Sequence, residues 1–324
     1  MSSRHKPTGC RNSATALSFR AKVYQHIRAY FAAHDFVEVE TPILVRCPGA
    51  EAYLQYFQSD WQDAQQREHR LYLRSSPELQ HKQMLSWGLE KIFELGKCFR
   101  NGGEFSDQHH PEFTMLEWYQ VGSSFEQMIA FTTDLITSLY EHHSERKLNA
   151  WHKLTVQEAF DAFVGIELFD GDDELAAKAL AKGYQVGADD DFETCFFKLM
   201  LTVVEPCLRK LGSVVLYDYP PSQAALAEIE DGVAKRFEVY LSGIEICNAF
   251  LECLDYEENR QRWHKMMTKR AAAGLPPIPQ AKDFLAALRQ PLPRCCGNAL
   301  GVDRLLALLR GATSLREVIV QNNF

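Results

Sequence analysis

Two strand-like segments joined by a polar loop constrain the fold of this 324-residue chain more than any other feature. The segments are KIFELGKCFR and EFTMLEWYQV, and the loop between them is NGGEFSDQHHP. Because β-type runs that follow each other across such a loop pair side by side, we expect an antiparallel pair. SVVLYDYP predicts another strand, and KRFEVYLSGIEICNAFLE predicts a hairpin that turns at Ser242 and Gly243.

Helical patterns separate these strands and indicate an α+β domain built on an antiparallel sheet. The apolar spacing predicts a helix over residues 16–34, followed by the extended stretch DFVEVETPIL. SSPELQHKQMLSW has a serine, a proline and an early glutamate, which together start a helix. The other predicted helical regions are 124–212, 257–273, 281–290 and 301–310. We therefore expect a flexible N-terminal segment, residues 1–15, and a single domain, residues 16–324, with a helical insertion at about residues 124–212.

Composition excludes several other classes of protein. Hydrophobic residues make up 46% of the chain, which is enough for a large core. No apolar run approaches the roughly 18 residues of a membrane span, and the N-terminus lacks the apolar centre of a signal peptide. We therefore expect a cytoplasmic protein without a membrane partner. The nine cysteines contain no CxxC pair, which argues against a zinc site and a disulfide framework. The net charge of -8 gives no sign of the basic surface that is typical of nucleic-acid-binding proteins.

The segment CCGNALGVDRLLALLRG predicts a glycine turn that leads into an apolar helix. It is not a Walker loop, because no Lys-Ser/Thr follows the glycines, and Gly297-x-Ala299-x-Gly301 is not a dinucleotide fingerprint. A helix N-terminus with Arg304 one turn in favours an anion. The alternative is an ordinary helix start in which Asp303 and Arg304 form a surface pair.

Two strand faces carry polar groups that a plain core strand would avoid. Alternation along EFTMLEWYQV and GIEICNAFLE gathers these groups on one face of each strand: Phe113, Met115, Glu117 and Tyr119 on the first, and Asn248, Phe250 and Glu252 on the second. A buried carboxylate on such a face needs a cationic partner, and the alternative is the solvent face of an edge strand. Arg100, at the mouth of the loop, has a side chain suited to a phosphate oxygen.

A pair of glutamates on adjoining strands offers oxygen ligands for a metal ion. As a set of two carboxylates without Cys or His, Glu238 and Glu245 suit Mg²⁺ rather than zinc. Strict alternation puts Glu245 on the opposite face from Asn248 and Glu252, so this site requires a local bulge. For either glutamate alone, the alternative is a solvated surface acid. Together with the arginines and the other acids, the pair predicts activation of an amino acid by ATP.

The chain resembles the class II aminoacyl-tRNA synthetases, and among them the catalytic domain of lysyl-tRNA synthetase. DFVEVETPIL is similar to motif 1, FRN and HHPEFTMLEWY together to motif 2, and GNALGVDRLL to motif 3, in this order over nearly the whole chain. The resemblance implies a six-stranded antiparallel sheet flanked by helices, with motif 1 in a homodimer interface. It also implies an aminoacyl-adenylate, formed by attack of an amino-acid carboxylate on the α-phosphate of ATP.

The resemblance further implies roles for individual residues. Arg100 and Arg304 would be the catalytic pair that holds the α- and γ-phosphates, and Glu238 and Glu245 would bind Mg²⁺. The other residues implied to bind ATP are Asn101, Gly102, His109, Phe113, Glu245, Ile246 and Gly301. The residues implied to surround a lysine-like substrate, with the acids pairing with its two amines, are Ser76, Pro77, Glu78, Glu117, Tyr119, Asn248, Phe250, Glu252 and Ala299.

Two features favour one subgroup of this family. Lysyl-tRNA synthetases carry an anticodon-binding barrel ahead of motif 1, and here Pro42 of motif 1 comes too early for one. They also have alanine and glycine where this chain has Ser76 and Ala299. The chain thus resembles their stand-alone paralogues, which ligate β-lysine to a lysine of elongation factor P, and tRNA is not the expected partner. The methyl group of Ala299 removes space and would disfavour α-lysine by about 1–3 kcal/mol.

The motif 2 loop departs from the family pattern. The family's Arg-x-Glu is Arg100-Asn101-Gly102 here, its His-Asn is His109-His110, and its basic residue is missing from residues 106–108. Either Glu104 replaces the missing glutamate or the loop contacts ATP differently. Two alternatives therefore stay open: lysine transfer to tRNA or a tRNA-like acceptor, and a non-catalytic paralogue that binds an amino acid.

Overall fold

The strands form one large sheet and one small sheet. The computed structural model describes residues 9–103 and 106–320, with side chains from residue 14 onward. Its strands are β1 (Val37–Glu38), β2 (Leu44–Val45), β3 (Gln58–Gln62), β4 (Glu68–Leu73), β5 (Lys91–Phe99), β6 (Glu112–Val121), β7 (Trp151–Thr155), β8 (Ser213–Tyr219), β9 (Ile229–Glu230), β10 (Val233–Leu241), β11 (Ile244–Leu251) and β12 (Cys295–Gly301). The large sheet has the order β1-β5-β6-β12-β11-β10-β8-β7, with β9 beside β10, and the small sheet has the order β2-β4-β3.

Six antiparallel strands form the centre of the large sheet, as predicted. Each neighbouring pair from β5 through β6, β12, β11 and β10 to β8 is antiparallel. The whole sheet is larger and mixed, because β1 joins β5 and β7 joins β8 in parallel at the two edges. The predicted hairpin is present, and Ser242 and Gly243 at its turn have φ angles of 52° and 75°, as a tight hairpin turn requires.

Helices cover both faces of the large sheet. They are α1 (Gly9–Ala33), α2 (Glu78–Leu85), α3 (Phe125–His143), α4 (Val156–Ala159), α5 (Leu175–Ala181), α6 (Phe192–Leu199), α7 (Glu205–Leu211), α8 (Tyr256–Ala272), α9 (Lys282–Ala287) and α10 (Val302–Arg310). Two π-helical turns, Phe160–Val164 and Met200–Val204, and two 3-10 turns, Pro221–Gln223 and Leu315–Glu317, complete the regular structure. No helix in the described part of the chain is long and apolar enough to cross a membrane.

The structure differs from the predicted elements at several points. Helix α1 begins at Gly9 and so overlaps the segment expected to be flexible, whose residues 1–8 lie outside the described residues. Strand β7 interrupts the region 124–212. The predicted glycine turn in CCGNALG is wrong, because these residues form β12 between β6 and β11. The eight cysteines whose side chains are described are all free.

One face of the sheet packs on the main hydrophobic core. Apolar side chains of α1, α3 and α10 meet the sheet there, and Leu116 and Trp118 of β6 are fully buried among them. On the other face, α4 to α7 pack over β8 in a second cluster, and α2, α8 and α9 contribute to a third. Polar strand residues line a cavity on this second face.

Candidate active site

A cavity of about 1410 Å³ contains nearly all the residues that the sequence singled out. Its floor consists of residues of β6, β10, β11 and β12, and its sides come from α2, α6, α8 and the loop between β5 and β6. All of the predicted site residues line it except Pro77, which immediately precedes the first residue of α2. The structure thus places the polar faces of β6 and β11 towards one shared space.

Three glutamates and a tyrosine, Glu78, Glu117, Tyr119 and Glu252, form what we call the acidic end of the cavity. Glu117 and Glu252 are each only 1% exposed. The hydroxyl of Tyr119 donates to Oε1 of Glu117 at 3.0 Å. Oε2 of Glu117 and Oε1 of Glu252 have no hydrogen-bond partner among the described residues. Because a buried carboxylate oxygen without a donor is unfavourable, these two atoms suit the ammonium groups of a ligand.

A buried lysine lies behind the acidic end, and the sequence analysis missed it. Nζ of Lys82 lies 2.7 Å from Oε1 of Glu78 and 2.6 Å from Oε2 of Glu252, and its side chain is fully buried. The contact with Glu78 was readable from the sequence, because the two residues are four apart on one helix. The contact with Glu252 depends on how α2 packs against the sheet.

A buried histidine, His81, also lies behind the acidic end and comes from the same helix. Nε2 of His81 lies 3.0 Å from Oε2 of Glu94, which also pairs with Arg74 at 2.6 Å. Nδ1 of His81 lies 3.5 Å from Oε1 of Glu117, an electrostatic contact rather than a well-formed hydrogen bond. Burial acts to lower the pKa of His81, but the contacts with Glu117 and Glu94 outweigh it and raise that pKa.

Burial makes the carboxyl groups of Glu117 and Glu252 hard to ionise. The pKa of Glu252 rises to about 8, because burial and the charges of Glu78 and Glu117 outweigh the effect of Lys82. Burial also raises the pKa of Glu117, against the opposing effect of His81. A ligand ammonium group would stabilise the charged form of both carboxyl groups.

Strand β12 forms the floor next to the acids at a residue where no side chain fits. A Cβ at Gly297 would collide with the carboxylate of Glu252 and the ring of Tyr119. Two residues further, Ala299 lines the same cavity and is paired in register with Glu117. Gly297 is therefore a glycine because the side chains above the strand need its space, and not because the chain turns there.

Two arginines, Arg100 and Arg304, form what we call the basic end of the cavity. Nη1 of Arg304 donates to the carbonyl of Glu245 at 2.9 Å, and Nη2 lies 2.8 Å from Nε2 of His109. The guanidinium of Arg100 lies over the ring of Phe113, 5.3 Å from its centre. Two guanidinium groups at one end of a cavity suit the oxygens of a polyphosphate.

The alternative in which Asp303 and Arg304 form a surface pair is wrong. Asp303 is only 3% exposed and forms an ion pair with Arg20 of α1. Its other oxygen accepts a hydrogen bond from the backbone N–H of Thr114 at 2.7 Å. These contacts fasten the first turn of α10 to α1 and β6, and they leave Arg304 directed towards the cavity.

Glu245 reaches the cavity through the β-bulge that the sequence required. Val239 of β10 pairs with Cys247 of β11, whereas the next residue, Tyr240, pairs with Glu245. Ile246 is therefore an extra residue in β11, and Glu245 lines the cavity together with residues on the Asn248 face.

The two glutamates expected to bind Mg²⁺ lie close to each other. Both oxygens of Glu238 have partners, since one accepts from Tyr219 and Tyr240 at 2.6 Å each and the other pairs with Arg236. Burial and the charge of Glu238 raise the pKa of Glu245 to about 7. Among the described residues, no group of three or more His, Cys, Asp or Glu side chains is arranged to hold a metal. The pair is therefore not a metal cage made of protein alone, and a Mg²⁺ bound here would take most of its ligands from substrate phosphates.

The helical region supplies two further cavity residues that the sequence analysis missed. Glu205 follows the π-helical turn Met200–Val204, and burial and the charge of Glu238 raise its pKa to about 7. Glu193 of α6 pairs with Lys269 of α8 at 2.5 Å, and both residues line the cavity. Helical periodicity does not reveal such residues, because their position depends on how two distant helices pack.

Comparisons with known proteins identify the family of the chain. The family model for class II tRNA synthetases (D, K and N) matches residues 3–322. The elongation factor P–(R)-β-lysine ligase of Photorhabdus laumondii is 36% identical over 307 residues, which cover 93% of this chain and 92% of that protein. The proteins of the same name from Pasteurella multocida and Avibacterium paragallinarum are 35% and 36% identical over 305 and 319 residues, covering 93% and 97% of this chain and 92% and 96% of those proteins. The chain therefore belongs to the class II tRNA synthetase family.

Proposed function

We propose that this protein activates (R)-β-lysine, or lysine, with ATP and transfers the aminoacyl group to a lysine side chain of elongation factor P. The names of the similar proteins support the reaction and the acceptor. The structural observation that carries the proposal is that one cavity joins the acidic end to the basic end. Such a cavity accommodates a diamino acid at one end and a nucleoside triphosphate at the other.

In the first step, the substrate carboxylate attacks the α-phosphate of ATP, and pyrophosphate leaves. The acids Glu78, Glu117 and Glu252 would bind the two ammonium groups, which directs the carboxylate towards Arg100. Arg304 would stabilise charge on the departing phosphates. Mg²⁺, held by Glu238 and Glu245, would neutralise phosphate charge when bound. The contribution of the protein is positioning and electrostatic stabilisation, so no side-chain nucleophile is needed.

In the second step, the amine of an acceptor lysine attacks the carbonyl of the adenylate. An amide bond forms, AMP leaves with the electrons of the broken carbon–oxygen bond, and the amine loses a proton. We further propose that the protein acts in the cytoplasm as a homodimer through motif 1, with elongation factor P rather than tRNA as the acceptor.

Intact-mass analysis of elongation factor P tests this proposal directly. The factor is incubated with the protein, ATP and either (R)-β-lysine or α-lysine. We expect the mass of one added aminoacyl group, with more product from (R)-β-lysine. Exchange of labelled pyrophosphate into ATP without a mass increase would point to another acceptor, and a tRNA-charging assay then tests that alternative. The absence of both exchange and mass increase would indicate a non-catalytic binding protein.

A further inference from the structure

Lys82 is the charged group nearest the acidic end that does not itself line the cavity. Its Nζ bridges Oε1 of Glu78 at 2.7 Å and Oε2 of Glu252 at 2.6 Å. It is fully buried, and its ammonium group also lies 5.8 Å from the centre of the Phe284 ring. A ligand in the cavity would therefore meet the two glutamates and not the lysine behind them.

The contact with Lys82 leaves one carboxylate oxygen of Glu252 free. Lys82 contacts only one oxygen of Glu252, and the other, Oε1, has no hydrogen-bond partner among the described residues. A carboxyl group buried to this degree favours its neutral form unless a cation lies beside it. A neutral Glu252 would lose the charge that attracts an ammonium group. The lysine therefore has an electrostatic effect that reaches the cavity through Glu252.

We propose that Lys82 is a positioning residue that favours the ionised form of Glu252 and directs its free oxygen at the amine of the substrate. This inference rests on the proposed function, because it assumes a substrate with ammonium groups at the acidic end. Several ionisable groups interact with the Lys82–Glu252 pair: Glu78 from α2, Glu117 and Tyr119 from β6, Cys295 and Cys296 from β12, and Cys253 after β11.

The sign of the pH dependence follows from the role of Glu252. The substrate amine binds the ionised carboxylate, so kcat/KM for the amino acid increases as the pH rises through the pKa of Glu252. Removing the neighbouring ammonium group makes ionisation harder and moves this increase to higher pH. A role of Lys82 in folding alone would reduce activity equally at every pH and for both substrates.

The test compares Lys82→Met with the wild-type protein in pyrophosphate exchange at several pH values. We expect the KM for (R)-β-lysine or lysine to rise at least about tenfold at pH 7.5, with the KM for ATP changed by less than about twofold. The increase of kcat/KM with pH should move up by about one pH unit or more, so that the variant recovers part of its activity at high pH.

A matched control is Lys235→Met, which removes a partly buried lysine paired with Asp218 at 3.1 Å and away from the cavity. It should leave both KM values and the pH profile unchanged. Thermal unfolding of each variant shows whether it folds. If Lys82→Met does not fold, Lys82→Arg is measured instead. Because this variant keeps the charge, it should keep the wild-type pH profile. An unshifted profile and equal losses for ATP and amino acid in folded Lys82→Met would overturn the inference. Absence of exchange by the wild-type protein would instead contradict the proposed function.

Discussion

At the scale of single residues, two alternate positions of β12 limit the space for the substrate. Gly297 lies where any side chain would collide with Glu252 and Tyr119, and Ala299 adds one methyl group to the same floor. Because both residues belong to a central strand, the backbone cannot shift away to make room. Along β12, the space beside the acidic end therefore depends on the hydrogen atom of Gly297 and the methyl group of Ala299.

Replacing Ala299 with glycine should improve the use of α-lysine. The lost methyl group is worth about 1–3 kcal/mol, so the ratio of kcat/KM for α-lysine to that for (R)-β-lysine should rise about tenfold or more. Pyrophosphate exchange with each amino acid measures this ratio. The matched control is Gly297→Ala, which should impair both substrates through the collision with Glu252 and Tyr119. An unchanged ratio in Ala299→Gly would show that this methyl group does not select the substrate.

Replacing Arg304 with alanine should abolish adenylate formation. Its guanidinium lies at the basic end, and loss of one such charge at a phosphate costs at least about a hundredfold in rate. Stopped exchange with an unchanged melting temperature is the expected outcome. Arg310→Ala, on the exposed side of the same helix, serves as the control and should remain active. Activity of Arg304→Ala near that of the control would contradict the assigned role.

At the scale of elements, one buried carboxylate connects three segments that lie far apart in the sequence. Asp303 at the start of α10 pairs with Arg20 of α1 and accepts from the backbone of Thr114 in β6. These contacts orient the first turn of α10, which carries Arg304. Asp303 therefore contributes both to the stability of the core and to the position of Arg304 at the basic end.

Replacing Asp303 with alanine should lower the free energy of unfolding by about 3–5 kcal/mol, because Arg20 would keep a mostly buried charge without its partner. Urea unfolding measures the change. The comparison is Arg28→Ala, which breaks an exposed pair with Glu38 that also links α1 to the sheet and should cost about 1 kcal/mol or less. Equal losses of unfolding free energy in the two variants would mean that the buried pair stabilises the protein no more than the exposed pair does.

Elements specified by residues close together in the chain could be predicted from the sequence, and elements specified by distant residues could not. Alternation along β6 and β11 indicated which side chains face the cavity, because alternation is local to a strand. The expected metal pair required a bulge at Glu245, because strict alternation placed this residue on the opposite face from Asn248 and Glu252. The strand β12 was missed, because its two glycines suggested a turn, and only pairing with β6 and β11 makes it a strand.

At the scale of the whole molecule, the motif 1 segment exposes large hydrophobic side chains. Val37, Ile43 and Leu44 are between 41% and 52% exposed. Strand β1, in the same segment, lies at one edge of the large sheet. An apolar surface beside an open sheet edge is typical of an interface between copies, which supports the proposed homodimer.

A charge placed in this region should separate the dimer. For Val37→Asp we expect the mass in light scattering to fall from twice 37.0 kDa to 37.0 kDa, because the interface would bury an unpaired carboxylate. Phe169→Asp introduces the same charge at an exposed phenylalanine outside motif 1 and should stay dimeric. If the wild-type protein itself has a mass of 37.0 kDa, the proposed dimer is wrong.

The sequence by itself determined the strand faces, the hairpin at Ser242 and Gly243, and the motifs that indicated the family, since each depends on residues close together in the chain. Only the tertiary structure revealed Lys82 between Glu78 and Glu252, Asp303 against Arg20, and the collision that excludes a side chain at Gly297. The physical reason is that the charge state and free space of a buried group depend on neighbours from distant segments, and local patterns do not specify those neighbours.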